Sequence, residues 1–204
     1  MPRNLILRYS KEGDMILDQF AGGGTTLVEA KLLRRNVIGV DVNDDALRRC
    51  KEKCSFHWES NYNVYLKHCD ARKLNFIPNE KIDLICTHPP YGDMVKYSCG
   101  LVDDLSQLTI PEFLEQMKTV AAECYRILKK DHYCAILMGD PRRKGFIIPL
   151  SFQVLQIFVD AGFKLKETII KQQHNCKHTE KWRSLSVQRN FLLVAHEYLF
   201  VFKK

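Results

Sequence analysis

The 204-residue sequence predicts a doubly wound α/β domain with a largely parallel β-sheet. Short apolar runs with the character of strands alternate with helical runs along the chain. A run of three glycines follows the first of these strands, where such folds bind ligands. Because 46% of the residues are hydrophobic, the chain can bury a core of this kind in one domain spanning 1–204.

The elements alternate from residue 15 onward. Strands are expected over 15–20, 36–42, 64–70, 81–87, 133–139, 164–172 and 190–204. Helices are expected over 26–35, 44–58, 109–130 and 150–162. Thr109 and Pro111 predict the start of the longest helix, and Thr26 with Glu29 has the spacing of a capping box for the first. Since no helix is predicted between the last two strands, they are expected to form an antiparallel hairpin at one edge.

Composition favours an anionic partner. The net charge is +7 and the pI is near 9.0, and nucleic acid is the leading candidate for such a basic chain. No apolar run is long enough to span a membrane, and no signal peptide is visible at the start. The eight cysteines are scattered as in a reduced, intracellular protein, so we expect a cytoplasmic location. No metal site is predicted, since Cys50 and Cys54 lack a second pair of ligands.

The glycine loop is the first candidate site. Glycines at 22–24 let the backbone turn sharply and lie against a ligand. Asp41 ends the next strand, where a carboxylate can accept hydrogen bonds from both ribose hydroxyls of a nucleoside. Asp70 ends the strand after that and could meet an adenine edge. Leu27 stands where the dinucleotide fingerprint requires its third glycine, so a nicotinamide dinucleotide is disfavoured.

The corner His88-Pro89-Pro90-Tyr91 is the second candidate site. It ends a buried strand, which proline cannot continue because it has no backbone N–H. An exocyclic amino nitrogen of a base is a poor nucleophile until acceptors take both of its hydrogens. The Pro89 carbonyl, held by Pro90, is one such acceptor, and His88 is another while a ring nitrogen is unprotonated. Tyr91 could stack on a base extruded from the duplex.

Two motifs carry a family resemblance. "DQFAGGGTT" and "THPPYGD" resemble the cofactor and catalytic loops of class I, S-adenosylmethionine-dependent DNA amino-methyltransferases, and "AHEYLFVFKK" is similar to their closing strand. The resemblance implies a Rossmann-like, seven-stranded, mostly parallel sheet with an antiparallel last strand and helices on both faces. It implies a catalytic loop of His88, Pro89, Pro90 and Tyr91. With the reasoning above, the residues expected around S-adenosylmethionine are Asp18, Phe20, Ala21, Gly22, Gly24, Thr25, Thr26, Asp41, Val42, Asp70, Ala71 and His88.

The chain also departs from this family. His88 stands where the family has Asp, Asn or Ser, and Gln19 replaces a common proline. Thr87 looks more like the branch that methylates N4 of cytosine, which is therefore slightly favoured over N6 of adenine. Only residues 1–14 precede the first strand, so the further cofactor-contacting segment usual in the family is expected to be short or missing.

Basic residues predict where double-stranded DNA would bind. The segment 171–190 is a candidate DNA-contacting loop, because basic side chains position phosphates and an aromatic ring can stack. The residues expected to contact nucleic acid are Lys96, Arg142, Arg143, Lys177, Lys181, Trp182 and Arg183. No separate recognition domain is predicted, so specificity must come from short loops, a homodimer or a partner subunit. Two alternatives remain: an RNA or protein methyltransferase of the same fold, and a non-catalytic subunit that binds cofactor or nucleic acid.

Overall fold

The computed structural model describes residues 1–57, 62–94, 100–101, 103–173 and 179–204. Its strands are β1 Met15–Asp18, β2 Asn36–Asp41, β3 Val64–His68, β4 Ile82–Thr87, β5 Leu128–Met138, β6 Arg142–Arg143, β7 Phe146–Ile147, β8 Lys164–Gln172 and β9 His196–Lys203. Seven of them form one sheet in the order β3-β2-β1-β4-β5-β9-β8, and β6 pairs with β7 in a small hairpin. Only β9 runs antiparallel within the larger sheet, against both β5 and β8. The predicted fold class is confirmed.

Helices cover both faces of the sheet. They are α1 Pro2–Tyr9, α2 Thr25–Leu32, α3 Asp44–Lys53, α4 Ile110–Ile127, α5 Leu150–Asp160 and α6 Thr179–Gln188. Strand β9 shows how the two cores divide, because alternate side chains of a strand point to opposite faces. Phe200 and Phe202 pack in the cluster that contains α4 and α5 residues. Leu199 and Val201 pack in the cluster that contains residues of α1, α2 and α3.

Helix α2 begins differently from the prediction. Gly24, in a left-handed conformation with φ of 77°, precedes the helix, and Thr25 is its first residue. The predicted capping box is wrong. The Thr26 hydroxyl is hydrogen-bonded to the Asp18 carboxylate instead, and Glu29 forms a salt bridge with Arg3 at 3.1 Å. By contrast, the start of α4 is as predicted, since the Glu112 carboxylate accepts a hydrogen bond from the Thr109 N–H at 2.9 Å.

Two helices and the small β6–β7 hairpin were not predicted, and the last predicted strand was too long. Helix α1 lies in the segment ahead of the first strand, and α6 separates β8 from β9, so these strands are not joined by a simple hairpin turn. They do pair antiparallel, but β8 is the edge strand and β9 lies inside it. The last strand begins at His196 rather than at residue 190.

The topology gathers the candidate sites at one edge. Strands β1 to β5 are parallel, so the glycine loop, Asp41, Asp70 and His88 all lie near their carboxyl ends. No helix in the described part of the chain is long and apolar enough to cross a membrane.

Candidate active site

A cavity of about 480 Å³ opens at the carboxyl edge of the sheet. Its volume is within the range of small-molecule sites. Of the residues expected around a cofactor, those that line it are Asp18, Phe20, Ala21, Gly22, Thr25, Thr26, Asp41, Val42, Asp70, Ala71 and His88. Gly24 does not line the cavity. It packs behind the loop, where an added Cβ would lie 3.1 Å from the Cys50 sulfur.

Asp41 ties the glycine loop to the end of β2. Its Oδ2 accepts a hydrogen bond from the Gly22 N–H at 2.9 Å, and its Oδ1 accepts one from the Asn43 N–H at 2.9 Å. Gly22 has a φ of 46°, in the left-handed region that glycine adopts without steric cost. Each carboxylate oxygen keeps a further lone pair, so Asp41 can still accept hydrogen bonds from a ligand.

Asp18 is a buried carboxylate facing the same cavity. It is 5% exposed and accepts hydrogen bonds from the Phe20 N–H at 3.2 Å and the Thr87 hydroxyl at 3.0 Å. Burial raises its pKa to about 6, although these hydrogen bonds and one from Thr26 oppose the shift. Among the described residues no cation pairs with it, so a positively charged ligand group would complement this site.

Asp70 is held differently, because a cation does accompany it. Both of its oxygens accept hydrogen bonds from the Arg72 guanidinium at 2.9 Å, and Arg72 also reaches Asp103 at 3.0 Å. Asp103, Asp104 and Leu105 line this end of the cavity. A carboxylate fixed in this way presents its remaining lone pairs in one orientation.

The proline corner lies between two cavities. His88 and Pro90 line the first, whereas Tyr91 lines a second cavity of about 970 Å³, and Pro89 lines neither. The Tyr91 ring rests on Gly139, where an added Cβ would lie 3.0 Å from a ring carbon. Glycine at that position therefore lets the ring lie flat against the end of β5.

A chain of hydrogen bonds runs through this corner. His88 Nε2 lies 2.7 Å from the Tyr91 oxygen, and the Tyr91 hydroxyl donates to Glu197 Oε1 at 2.8 Å. Lys171 Nζ donates to Glu197 Oε2 at 2.6 Å. Burial lowers the pKa of His88, which Glu197 partly opposes. Burial alone would raise the pKa of Glu197, but hydrogen bonds from Lys171 and Tyr91 bring it below its ordinary value.

Sequence reasoning missed several of these residues. Glu197 was assigned only to the closing strand, although a carboxylate inside an apolar run is rarely buried without a partner, and this one is 7% exposed. Lys171 was grouped with the candidate DNA-contacting loop, yet it lines the first cavity. Met1 and Pro2 line that cavity too, so segment 1–14 does reach it, contrary to expectation.

The described residues among those expected to contact nucleic acid lie on two elements, β6 and α6. Arg142, Trp182 and Arg183 line the second cavity. Arg143 pairs with Asp93 at 2.6 Å, and Lys181 is exposed on α6 without lining either cavity. Lys96 and Lys177 lie outside the described residues. The segment 171–190 is not a loop, because it includes the end of β8 and the whole of α6.

Together, the sheet order, the glycine loop and the acidic strand ends define the class I S-adenosylmethionine-dependent methyltransferase fold. Solved structures support this class. TrmN from Thermus thermophilus superposes with a TM-score of 0.66 at 19% identity, over 100% of this chain and 48% of that one. An S-adenosylmethionine-dependent methyltransferase from Methanosarcina mazei superposes with a TM-score of 0.65 at 14% identity, over 98% and 96%.

The chain belongs to the family described as DNA methylase, whose model matches residues 1–52 and 82–204. It is 33% identical over 131 residues to the Type II methyltransferase M.MjaVI of Methanocaldococcus jannaschii, covering 63% of this chain. It is 34% identical over 113 residues to a tRNA (guanine(10)-N2)-dimethyltransferase of Methanothermobacter thermautotrophicus, covering 55% of this chain. The matches span 64% and 31% of the lengths of these two relatives.

S-adenosylmethionine is the cofactor of this class, and the cavity fits it. Asp41 and Asp70 offer acceptors for the hydroxyl and amino groups of a nucleoside. Asp18 is a buried carboxylate without a described counter-ion, which suits a cationic methionine portion. Gln19 supplies a further sign of a missing polar partner, because its buried Oε1 has no hydrogen-bond partner although the residue lines the cavity. No group of residues able to hold a metal ion occurs within the described ranges.

Proposed function

We propose that this chain transfers a methyl group from S-adenosylmethionine to an exocyclic amino group of a DNA base, N4 of cytosine being slightly favoured over N6 of adenine. One observation carries the proposal: the corner of His88, Pro89, Pro90 and Tyr91 lies at the end of β4, between the cofactor cavity and a second cavity. A base gripped at this corner would have its amino group beside the cofactor.

The residues of the corner have separate roles in this proposal. The cofactor supplies a methyl group made electrophilic by its positively charged sulfur. The Pro89 carbonyl and an unprotonated nitrogen of His88 accept hydrogen bonds from the amino group, which frees its lone pair for attack. His88 can then take the proton that the nitrogen releases after methylation. Asp18, Asp41 and Asp70 hold and orient the cofactor.

The second cavity suits a base removed from a duplex. It presents the Tyr91 ring on one side, and Trp182, Arg142 and Arg183 line it elsewhere. Aromatic rings stack on bases and guanidinium groups bind phosphates, so the lining combines the two contacts that such a substrate needs. The net charge of +7 favours the same partner. The family description, DNA methylase, supports DNA as the substrate.

A second candidate substrate is tRNA. Relatives named tRNA (guanine(10)-N2)-dimethyltransferase match 55% of this chain at 34% identity and 78% at 26% identity. The target in their names, N2 of guanine, is also an exocyclic amino group, which the same corner could grip. The arrangement of hydrogen-bond acceptors therefore fits both nucleic acids, and identifying the methylated nucleoside distinguishes DNA from tRNA as the substrate.

The test is to identify the methylated nucleoside. The chain is incubated with S-adenosylmethionine carrying a deuterated methyl group, and either unmethylated duplex DNA or tRNA. Each nucleic acid is then digested and its nucleosides are measured by mass spectrometry. We expect labelled N4-methylcytosine or N6-methyladenine from DNA, and none with the His88→Ala variant. Labelled N2-methylguanosine from tRNA alone would favour the second candidate, and unlabelled nucleosides from both would contradict the proposal.

A further inference from the structure

Four side chains connect the two cavities across the proline corner. Lys171 and His88 line the cofactor cavity, whereas Tyr91 and Glu197 line the second one. Successive contacts along the series Lys171, Glu197, Tyr91, His88 measure 2.6, 2.8 and 2.7 Å. Contacts this short between polar atoms are hydrogen bonds, so each proton in the series has a definite place.

The donors and acceptors can be assigned in order. The Lys171 ammonium has only donors, and an ionised Glu197 has only acceptors. One Glu197 oxygen accepts a hydrogen bond from the Lys171 ammonium, and the other accepts one from the Tyr91 hydroxyl. The Tyr91 hydroxyl has a single proton, which it donates to Glu197 in a hydrogen bond. The Tyr91 oxygen can therefore only accept from His88, which requires a proton on Nε2.

The other ring nitrogen of His88 is then left bare. Burial lowers the pKa of His88, so the ring is neutral at pH 7 and carries one N–H only. With that proton on Nε2, Nδ1 has an open lone pair. Nδ1 makes no hydrogen bond to any described residue, and the His88 side chain is 45% exposed. An open acceptor on a half-exposed side chain that lines the cofactor cavity is what a substrate amino group needs.

We propose that Lys171, Glu197 and Tyr91 are positioning residues that hold His88 as the Nε2–H tautomer, so that Nδ1 accepts a hydrogen bond from the amino group to be methylated. The inference rests on the proposed function for what Nδ1 binds. It also explains why a histidine can work at this position: the protein fixes which nitrogen accepts. Lys171 keeps Glu197 ionised, and the ionised Glu197 keeps the Tyr91 proton away from His88.

Glu197→Gln tests this directly, because it should reverse the tautomer. Lys171 needs an acceptor, so the new amide would turn its oxygen to Lys171 and its NH₂ to Tyr91. The Tyr91 hydroxyl would then donate a hydrogen bond to His88 Nε2, so the ring proton would lie on Nδ1. Tyr91→Phe removes the partner altogether and should leave a mixture of tautomers. The ¹⁵N chemical shifts of the imidazole report the tautomer, and a His88→Gln variant identifies the His88 signals.

The chain offers a matched control. The Tyr9 hydroxyl donates to Glu167 Oε2 at 2.7 Å, and neither residue lines either cavity. Tyr9→Phe removes this hydrogen bond and Glu167→Gln makes the same carboxylate-to-amide change beside a tyrosine, and we expect both to keep the Nε2–H tautomer of His88 and the wild-type methylation rate. Thermal melting and calorimetric titration with S-adenosylmethionine verify that every variant is folded and binds cofactor.

The tautomer is measured by ¹⁵N chemical shifts and the activity by the methylation rate, so the two results are independent. We expect a bare Nδ1 in the wild type, a bare Nε2 in Glu197→Gln, and a single-turnover methylation rate about tenfold lower in that variant, from the loss of one oriented hydrogen bond. A bare Nε2 in the wild type, or a tautomer unchanged by Glu197→Gln, overturns the inference even if methylation is observed. If no nucleic acid is methylated by a wild type that has the expected tautomer, the positioning of His88 is upheld and the proposed function is contradicted.

Discussion

The cofactor side and the substrate side of the active site are built in different ways. On the cofactor side, the key hydrogen bond joins Asp41 to Gly22, which are 19 residues apart in consecutive loops of the sheet. On the substrate side, Tyr91 bonds to Glu197, which is 106 residues further along the chain. The first arrangement is encoded in local motifs after each strand. The second arises only when β9 enters the sheet beside β5, so the proline corner acquires a partner that no local sequence pattern reveals.

The largest effect is expected on the substrate side, at His88. His88→Ala removes the proposed acceptor and should slow single-turnover methylation by about 10²-fold or more, the usual scale for losing a group that handles a proton. His88→Asn keeps an acceptor and should retain part of the activity. Both variants should still bind S-adenosylmethionine, which calorimetry measures. An Ala variant that methylates at the wild-type rate would show that Pro89 acts alone.

On the cofactor side, Asp41→Ala should weaken S-adenosylmethionine binding by about 1.5–3 kcal/mol. The variant loses acceptors for the ligand and also the hydrogen bond that holds the Gly22 N–H. Asp44→Ala is the control, because Asp44 follows the same loop but its side chain is 82% exposed. Equal affinities of the two variants, measured by calorimetric titration, would remove Asp41 from the site.

On the cofactor side, ionised Asp18 is expected to lower the stability of the folded protein. Its pKa of about 6 in the folded protein exceeds the value of 3.8 for a free aspartate, so the ionised form disfavours folding above pH 6 and has no such effect below about pH 4. Asp18→Asn should raise the free energy of unfolding by about 1–3 kcal/mol at pH 8, with a gain that disappears on acidification. Urea unfolding at pH 8 and at pH 4 measures this, and a gain independent of pH would mean that the pKa of Asp18 is the same in the folded and unfolded states.

The smallest effect is expected for two basic residues of α6. Replacing Lys181 and Arg183 by Gln should reduce the log–log salt dependence of DNA binding by about one to two units, because each phosphate contact contributes about one. Arg34 and Lys118 replaced together serve as the control, since they change the net charge equally and line neither cavity. If the two double variants have the same salt slope, α6 contributes only to the overall charge.

The sequence predicted the cofactor side well for a physical reason. Strand, glycine turn and helix follow each other directly there, so local propensity and strand-end position define the site. Strands β1 and β2 begin where expected and end within two residues of the expected positions. The substrate side depended on pairings across the sheet. Helix α6 has no buried residues and so no apolar stripe to predict it. Glu197 looked like part of an apolar strand, and its role became visible only beside Lys171 and Tyr91.

The most direct test of the account is the pH dependence of single-turnover methylation at saturating cofactor, compared between the wild type and His88→Asn. The charged and titratable groups facing His88 are Tyr91, Glu197 and Lys171. Because burial lowers the pKa of His88, the wild-type rate should be constant near neutrality and fall with an apparent pKa below 6.5. His88→Asn should lack this fall. Asp18, with a pKa of about 6, titrates in both proteins, so the difference between their profiles reports His88. Identical profiles would contradict the claim that an unprotonated His88 nitrogen acts on the substrate.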